Sequence, residues 1–168
     1  MMKEAVPGVL RVDGERRAVR FERRYDATPA EVWSALTEPE RLARWLADAE
    51  LDLRVAGEYV LRFSGEDQGR TTRGEVVAIE PERLLELTWL SPGEEDTVLR
   101  FELRPDDEGT ILVLDHRGLP VEAAPGYGGG WQAHLEALEA HLRAESQPDW
   151  WGRYKELRPL YEAQEASL

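Results

Sequence analysis

Three histidines, His116, His134 and His141, are the only side chains in this sequence that titrate near neutrality unperturbed, so any proton chemistry starts with their neighbours. A hydrolase triad needs an imidazole held by a carboxylate and facing a nucleophile. Asp115 directly precedes His116, but adjacent strand residues point to opposite faces, and no G-x-S-x-G nucleophile elbow occurs anywhere in the chain. A catalytic triad is therefore not supported. His134 and His141 lie two helical turns apart with Leu138 between them, too far to share a metal ion without other ligands. The chain has no cysteine, which removes thiolate ligation, thiol nucleophiles and disulfides, and no metal or cofactor is expected. Gly128-Gly129-Gly130 before a helix suggests a phosphate loop, but the Lys-Ser/Thr that should follow is missing. What remains is His116 with Tyr59 or Tyr127 as a pair able to move a proton beside a carbonyl. The competing reading of His116 is a structural histidine hydrogen-bonded near the start of the glycine-rich stretch.

These residues must be positioned by a sheet and helices that the pattern makes visible. Asp13-Gly14 between the strand-like runs Val9 to Val12 and Arg17 to Tyr25 is a hairpin signal. Thr28, Pro29 and Glu31 have the spacing of a capped helix start, with Val32, Trp33 and Leu36 on one face. Pro39, Leu42, Trp45 and Leu46 repeat the arrangement, predicting two short amphipathic helices. Strands are expected at Leu51–Val55, Glu58–Ser64, Arg73–Glu80, Leu84–Leu90, Thr97–Arg104 and Thr110–His116. Their short separators, among them Gly65–Gly69, Ser91–Asp96 and Pro105–Gly109, favour an antiparallel meander. Gly118–Gly130 reads as a mobile connection or lid, after which Trp131, Leu135, Leu138 and Leu142 mark a helix running to about Ser146. A last helical segment, Asp149 to about Ala166, contains Pro159, which should kink or interrupt it. Residues 1–147 thus read as one domain including the N-terminal hairpin, and 148–168 as a helical extension.

Strand alternation places Tyr59, Leu61 and Phe63 on one face, as it does Leu85, Leu87 and Trp89, then Leu99, Phe101 and Leu103, then Leu112, Leu114 and His116. These faces should look at Trp131, Leu135 and Leu138. Each such residue is first of all a core residue. If space is left between sheet and helix, the same residues line a cavity, with Trp33, Trp45, Trp89, Tyr127 and Trp131 at its mouth offering N–H or O–H groups to a ligand.

A net charge of −13 argues against a phosphate-binding surface, so nucleic acid is not an expected partner; Arg16-Arg17 and Arg23-Arg24 read as solvated or ion-paired. Acidic runs such as Glu94-Glu95-Asp96 and Asp106-Asp107-Glu108 read as solvated turns. No run approaches the roughly 20 apolar residues of a membrane span and the start lacks a signal-peptide h-region, so no membrane partner and a cytoplasmic location are expected.

The segments FERRYDATPAEVWSALTEPERLARWL (21–46), RVAGEYVLRF (54–63), RGEVVAIEPERLLELTW (73–89), GTILVLDHRGL (109–119) and GGGWQAHLEALEAHL (128–142) resemble the activator of heat-shock-protein-90 ATPase homologue family. That family belongs to the START-like, or SRPBCC, superfamily. The resemblance implies an α+β helix-grip fold: a curved antiparallel sheet, two short helices after the first long strand, and a long C-terminal helix packed across the sheet. It also implies a pocket role for His116, since the family often has a histidine at this place in its last strand. The family name implies chaperone-ATPase activation and a place in the stress response. In eukaryotic members that activity also relies on a separate chaperone-binding domain, for which 168 residues leave no room.

Three functional readings follow. The first is a non-catalytic protein whose hydrophobic cavity, between the sheet and the Trp131–Arg143 helix, takes a small lipid-like or aromatic ligand or a protein partner; the near absence of inward polar residues favours it. The second is a polyketide cyclase or aromatase-like enzyme that uses the same cavity. In the third, the Trp150-Trp151 segment packs on a second copy to give a homodimer.

Overall fold

Gly14 takes φ +60°, the left-handed conformation required at the first position of a two-residue hairpin turn, and joins β1 (Val9–Asp13) to β2 (Arg16–Tyr25) with Asp13 opposite Arg16. The computed structural model describes residues 7–63, 70–90 and 96–168. After β2, Thr28 caps α1 (Pro29–Thr37), its hydroxyl accepting from the Glu31 amide at 3.2 Å with Pro29 in the first turn. Glu38 is extended and ends α1, and α2 (Pro39–Trp45) begins at once. The Trp45 indole donates to the Ala35 carbonyl at 2.9 Å and so locks the two short helices together.

From α2 the chain enters β3 (Asp48–Leu51), β4 (Glu58–Arg62), β5 (Thr71–Glu80), β6 (Leu84–Trp89), β7 (Thr97–Asp106) and β8 (Gly109–Leu119). Each of these pairs antiparallel with the next, as the short connections imply. The sheet is more than a meander, because β8 also pairs with β2, giving the order β1-β2-β8-β7-β6-β5-β4-β3. The helices α1 and α2 carry the chain from β2 to β3 at the opposite edge. Register shifts at Arg17/Val19 and Val76/Ala78 add local bends to the curved sheet.

One face of the sheet is buried at alternate positions, including Leu85, Leu87 and Trp89 on β6, Leu99, Phe101 and Leu103 on β7, and Leu112, Leu114 and His116 on β8. Across it lies α3 (Ala124–Leu142), which inserts Trp131, Leu135 and Leu138, while the Tyr25 hydroxyl donates to the Leu135 carbonyl at 3.2 Å. This is the helix-grip arrangement, an α+β fold. Among the described residues no helix is long and apolar enough to cross a membrane.

Four elements differ from expectation. The third strand is Asp48–Leu51 rather than Leu51–Val55, because residues 52–57 turn back on themselves: the Gly57 amide donates to the Arg54 carbonyl, and Leu53 and Val55 are exposed. The last strand runs to Leu119, and α3 starts at Ala124, so Gly126 to Gly130 are helical rather than a mobile connection or lid. Their weak helix propensity is overridden by packing. Finally, α4 (Trp150–Ala166) passes through Pro159 without a break; the amide that proline lacks would have bonded Lys155, and both residues face solvent, where water can satisfy the carbonyl. The expected strand end at Ser64, the Gly65–Gly69 separator and Ser91–Glu95 lie outside the described residues.

The last helix is docked on its own chain. Leu157 and Tyr161 are buried; the Tyr161 hydroxyl accepts from the Gly8 amide at 2.7 Å and donates to Gln132 on α3 at 2.6 Å. Arg17 on β2 reaches Glu165 at 2.9 Å. A Cβ built at Gly128 would run into the Tyr161 ring, whereas one at Gly130 meets nothing closer than Trp150 at 3.9 Å. Gly128→Ala is therefore expected to lose roughly 1–3 kcal/mol from overpacking, more than the helix-propensity gain of about 1 kcal/mol. Gly130→Ala keeps the propensity gain and should raise the melting temperature. Thermal denaturation of the two variants shifting in the same direction would contradict this packing.

Candidate functional site

Between α3, α4 and the adjoining ends of β4 to β6 lies a cavity of about 310 Å³. Its walls are mostly aromatic: Phe63, Trp89, Tyr127, Trp131 and His134 from the sheet side and α3, and Trp150, Trp151 and Tyr154 from α4. Leu46 closes the α2 side, and Gly126 and Gly130 make room by having no side chain. The α4 rings form a stack, with Trp150 and Tyr154 at 5.2 Å and 6° between planes and Trp151 and Tyr154 at 5.4 Å and 22°. Opposite them, Trp89 meets Trp131 edge to face at 5.4 Å. At the solvent side Arg158 donates to the Tyr154 hydroxyl at 2.8 Å, Arg70 donates to the Tyr127 hydroxyl at 3.4 Å, and Glu122 lies nearby.

The residues expected at a site fall into three groups. Phe63, Trp89, Tyr127 and Trp131 line this cavity. Trp45, Tyr59, Leu61 and Phe101, again with Trp89, surround a separate gap of about 20 Å³ under the sheet, room for about one water. Leu114, His116 and Leu135 are packed in the core, and Trp33 is half-buried on α1; none of these four lines either space. The interface between the sheet and α3 is thus nearly filled, and the open volume is displaced to the end where α4 completes it.

His116 is a saturated node. The Trp131 indole can only donate, and it lies 2.9 Å from Nδ1, so Nδ1 accepts and the proton sits on Nε2. Nε2 then donates to the Thr97 hydroxyl at 2.7 Å, which passes its own proton on to the Trp89 carbonyl at 3.1 Å. Burial lowers the pKa of His116 to about 3 and keeps it neutral. Asp115 turns to the other face and pairs with Arg11 at 3.0 Å, as strand alternation requires. Tyr59 is likewise committed, donating to the Thr88 carbonyl at 2.6 Å, and burial raises its pKa. The pairings of His116 with Tyr59 or Tyr127 that could have moved a proton have both imidazole nitrogens already occupied by the fold.

His134 is a cavity residue that sequence reasoning passed over. Weighed only as a metal ligand with His141, it lines the cavity instead, while His141 accepts from Arg41 at 3.1 Å. Burial lowers the pKa of His134 to about 4, opposed in part by its hydrogen bond to the Trp45 backbone. Nδ1 of His134 is buried with no hydrogen-bond partner among the described residues. The indole nitrogens of Trp89 and Trp150 are also buried and without a partner there. Five buried polar atoms lack partners among the described residues, and three of them belong to walls of this one cavity.

A curved eight-stranded antiparallel sheet gripping a long helix, with an aromatic cavity beside that helix, defines a START-like domain of the SRPBCC superfamily. Residues 26–143 match the family described as Activator of Hsp90 ATPase homolog 1-like protein, and the chain belongs to that family. CalU16 from Micromonospora echinospora is 28% identical with a TM-score of 0.78 over 94% of this chain and 95% of that one. MLL2253 from Mesorhizobium loti is 30% identical, TM-score 0.67, over 77% and 99%. DynU16, described as a protein in the dynemicin biosynthetic locus, is 25% identical, TM-score 0.70, over 79% of this chain and 50% of that one. No curated protein matches the chain.

Proposed function

We propose that this protein is a non-catalytic binding domain whose cavity between α3, α4 and the sheet holds a small aromatic molecule. The observation that carries the reading is the cavity itself: about 310 Å³, at the lower end of ligand pockets, with walls that are mostly aromatic. Flat, stacked walls suit a planar ring system better than a flexible acyl chain, because ring faces pair by offset stacking or edge-to-face contact. The similarity to DynU16, which comes from the dynemicin biosynthetic locus, supports a ligand-binding role for the cavity. Catalysis receives no such support, since the histidine first suited to proton transfer is bonded on both nitrogens.

Isothermal calorimetry with a planar aromatic probe such as naphthol tests this directly. Binding to the wild-type chain is expected, together with its loss in Gly130→Leu, which places a side chain in the cavity next to Trp150. A folded Gly130→Leu protein that binds as well as wild type would end the proposal. So would the absence of any heat with the wild-type protein.

A further inference from the structure

The cavity has a polar rim as well as aromatic walls, and the chemistry of that rim is one-sided. Nη1 of Arg158 donates to the Tyr154 hydroxyl at 2.8 Å, and Nη2 of Arg70 donates to the Tyr127 hydroxyl at 3.4 Å. All of these residues line the cavity. An arginine offers a fork of N–H donors and no acceptor, and a tyrosine hydroxyl that takes a guanidinium hydrogen keeps its own proton to give. On Arg158, Nη1 is engaged with Tyr154 and Nε leans on Glu162 at 3.5 Å, which leaves the Nη2 end of the fork for another group. The Arg158 side chain is 46% exposed and Tyr154 is half-buried, so both can be reached from the mouth. Gly126 sits against the pair: a Cβ there would lie 3.3 Å from the Tyr154 hydroxyl and 3.7 Å from Nη1 of Arg158, so the bare glycine keeps the approach open.

Donors gathered at one edge of an apolar chamber select for an acceptor on the ligand. A carboxylate offers coplanar oxygens to a guanidinium and gains charge-assisted hydrogen bonds, which a neutral hydroxyl does not. An ammonium group only donates and would face two guanidinium groups. Among the described lining residues Glu122 is the one acid, exposed on the turn before α3 and set against Arg70 and Arg158. That local excess of positive charge runs against a chain whose net charge is −13. We infer that the aromatic ligand carries a carboxylate, which sits at the rim and accepts from the guanidinium of Arg158 and the hydroxyl of Tyr154, with Arg70 adding positive charge, while its rings lie between the aromatic walls. This inference rests on the binding reading above and names the polar end of what is bound.

Naphthalene, naphthol, naphthoate and naphthylmethylamine share one ring system and differ at that polar end. Calorimetric titration should find naphthoate binding about 10-fold tighter than naphthalene, naphthol in between, and naphthylmethylamine weaker than naphthoate by about 10-fold or more. Tyr154→Phe keeps the ring that stacks on Trp150 and removes only the hydroxyl; it should weaken naphthoate about 3-fold and spare naphthalene. Arg158→Lys, which keeps the charge but loses the fork, should retain part of the naphthoate preference. Arg158→Glu should reverse it, so that the amine binds tighter than the acid, with thermal melts confirming that each variant is folded. Naphthoate bound no tighter than naphthalene by the wild type, or a folded Arg158→Glu protein with its naphthoate preference intact, overturns the carboxylate inference and leaves the aromatic cavity standing. No binding of any probe removes the binding reading itself.

Discussion

His116→Ala is expected to lower the unfolding free energy by about 3–5 kcal/mol, enough to bring the melting temperature down by roughly 10 °C. The loss has two sources. Removing a fully buried imidazole leaves a hole among Trp89, Trp131 and Tyr127, whose rings lie 5.5, 6.1 and 4.9 Å from it. It also strips the Trp131 N–H of its acceptor and leaves the Thr97 hydroxyl with one bond instead of two, in a place water does not reach. Urea denaturation reads the effect. A drop below about 1 kcal/mol would mean the imidazole is not the node described here. The same variant separates structure from chemistry: a protein of unchanged stability that had lost a turnover would restore the enzyme reading.

The second large effect is a loss of stability in mild acid. Burial holds His116 near pKa 3 and His134 near pKa 4 in the folded chain, against about 6.5 for a free imidazole. Between those values the unfolded chain binds protons that the folded chain refuses, so the unfolding free energy rises with pH across the window. Above about pH 6.5 the contribution is fully present; as pH falls toward the folded values it drains away at about 1.4 kcal/mol per pH unit for each histidine. At about pH 5 the two together should have cost about 4 kcal/mol relative to about pH 7.5. Denaturation midpoints at the two pH values test it, and His134→Gln should remove about half of the difference. A wild-type protein equally stable at both would show that the imidazoles accept protons in place.

Much of the frame was legible because it is written in local signals. The Asp13-Gly14 pair, the Thr28 cap and the alternation of Leu99, Phe101 and Leu103 each depend on neighbours within a few residues, and each was found where expected. The glycine run at 126–130 was misread for the opposite reason. Its helix exists because Tyr161, more than thirty residues later, needs the bare surface that Gly128 provides, and no window around the glycines contains that information. The position of the cavity depends on the same distant helix. Trp150-Trp151 is visible in the sequence as a segment able to pack on a second copy of the chain, but nothing local to it names the α3 and sheet residues that share its cavity. His134 was set aside because histidine pairs suggest metals, whereas what distinguishes it is a missing partner, and that can be seen only in three dimensions.

The hydrogen bonds that Tyr161 accepts from Gly8 and donates to Gln132, with the one from Arg17 to Glu165, carry a consequence for how the molecule is born. Four of the fifteen residues that line the cavity, Trp150, Trp151, Tyr154 and Arg158, are translated after everything they close over. On the ribosome the sheet and its long helix emerge first, with the aromatic chamber still open along one side. The chamber cannot close until synthesis has passed Arg158, and a nascent chain arrested before Trp150 would leave Trp89 and Trp131 uncovered on that side.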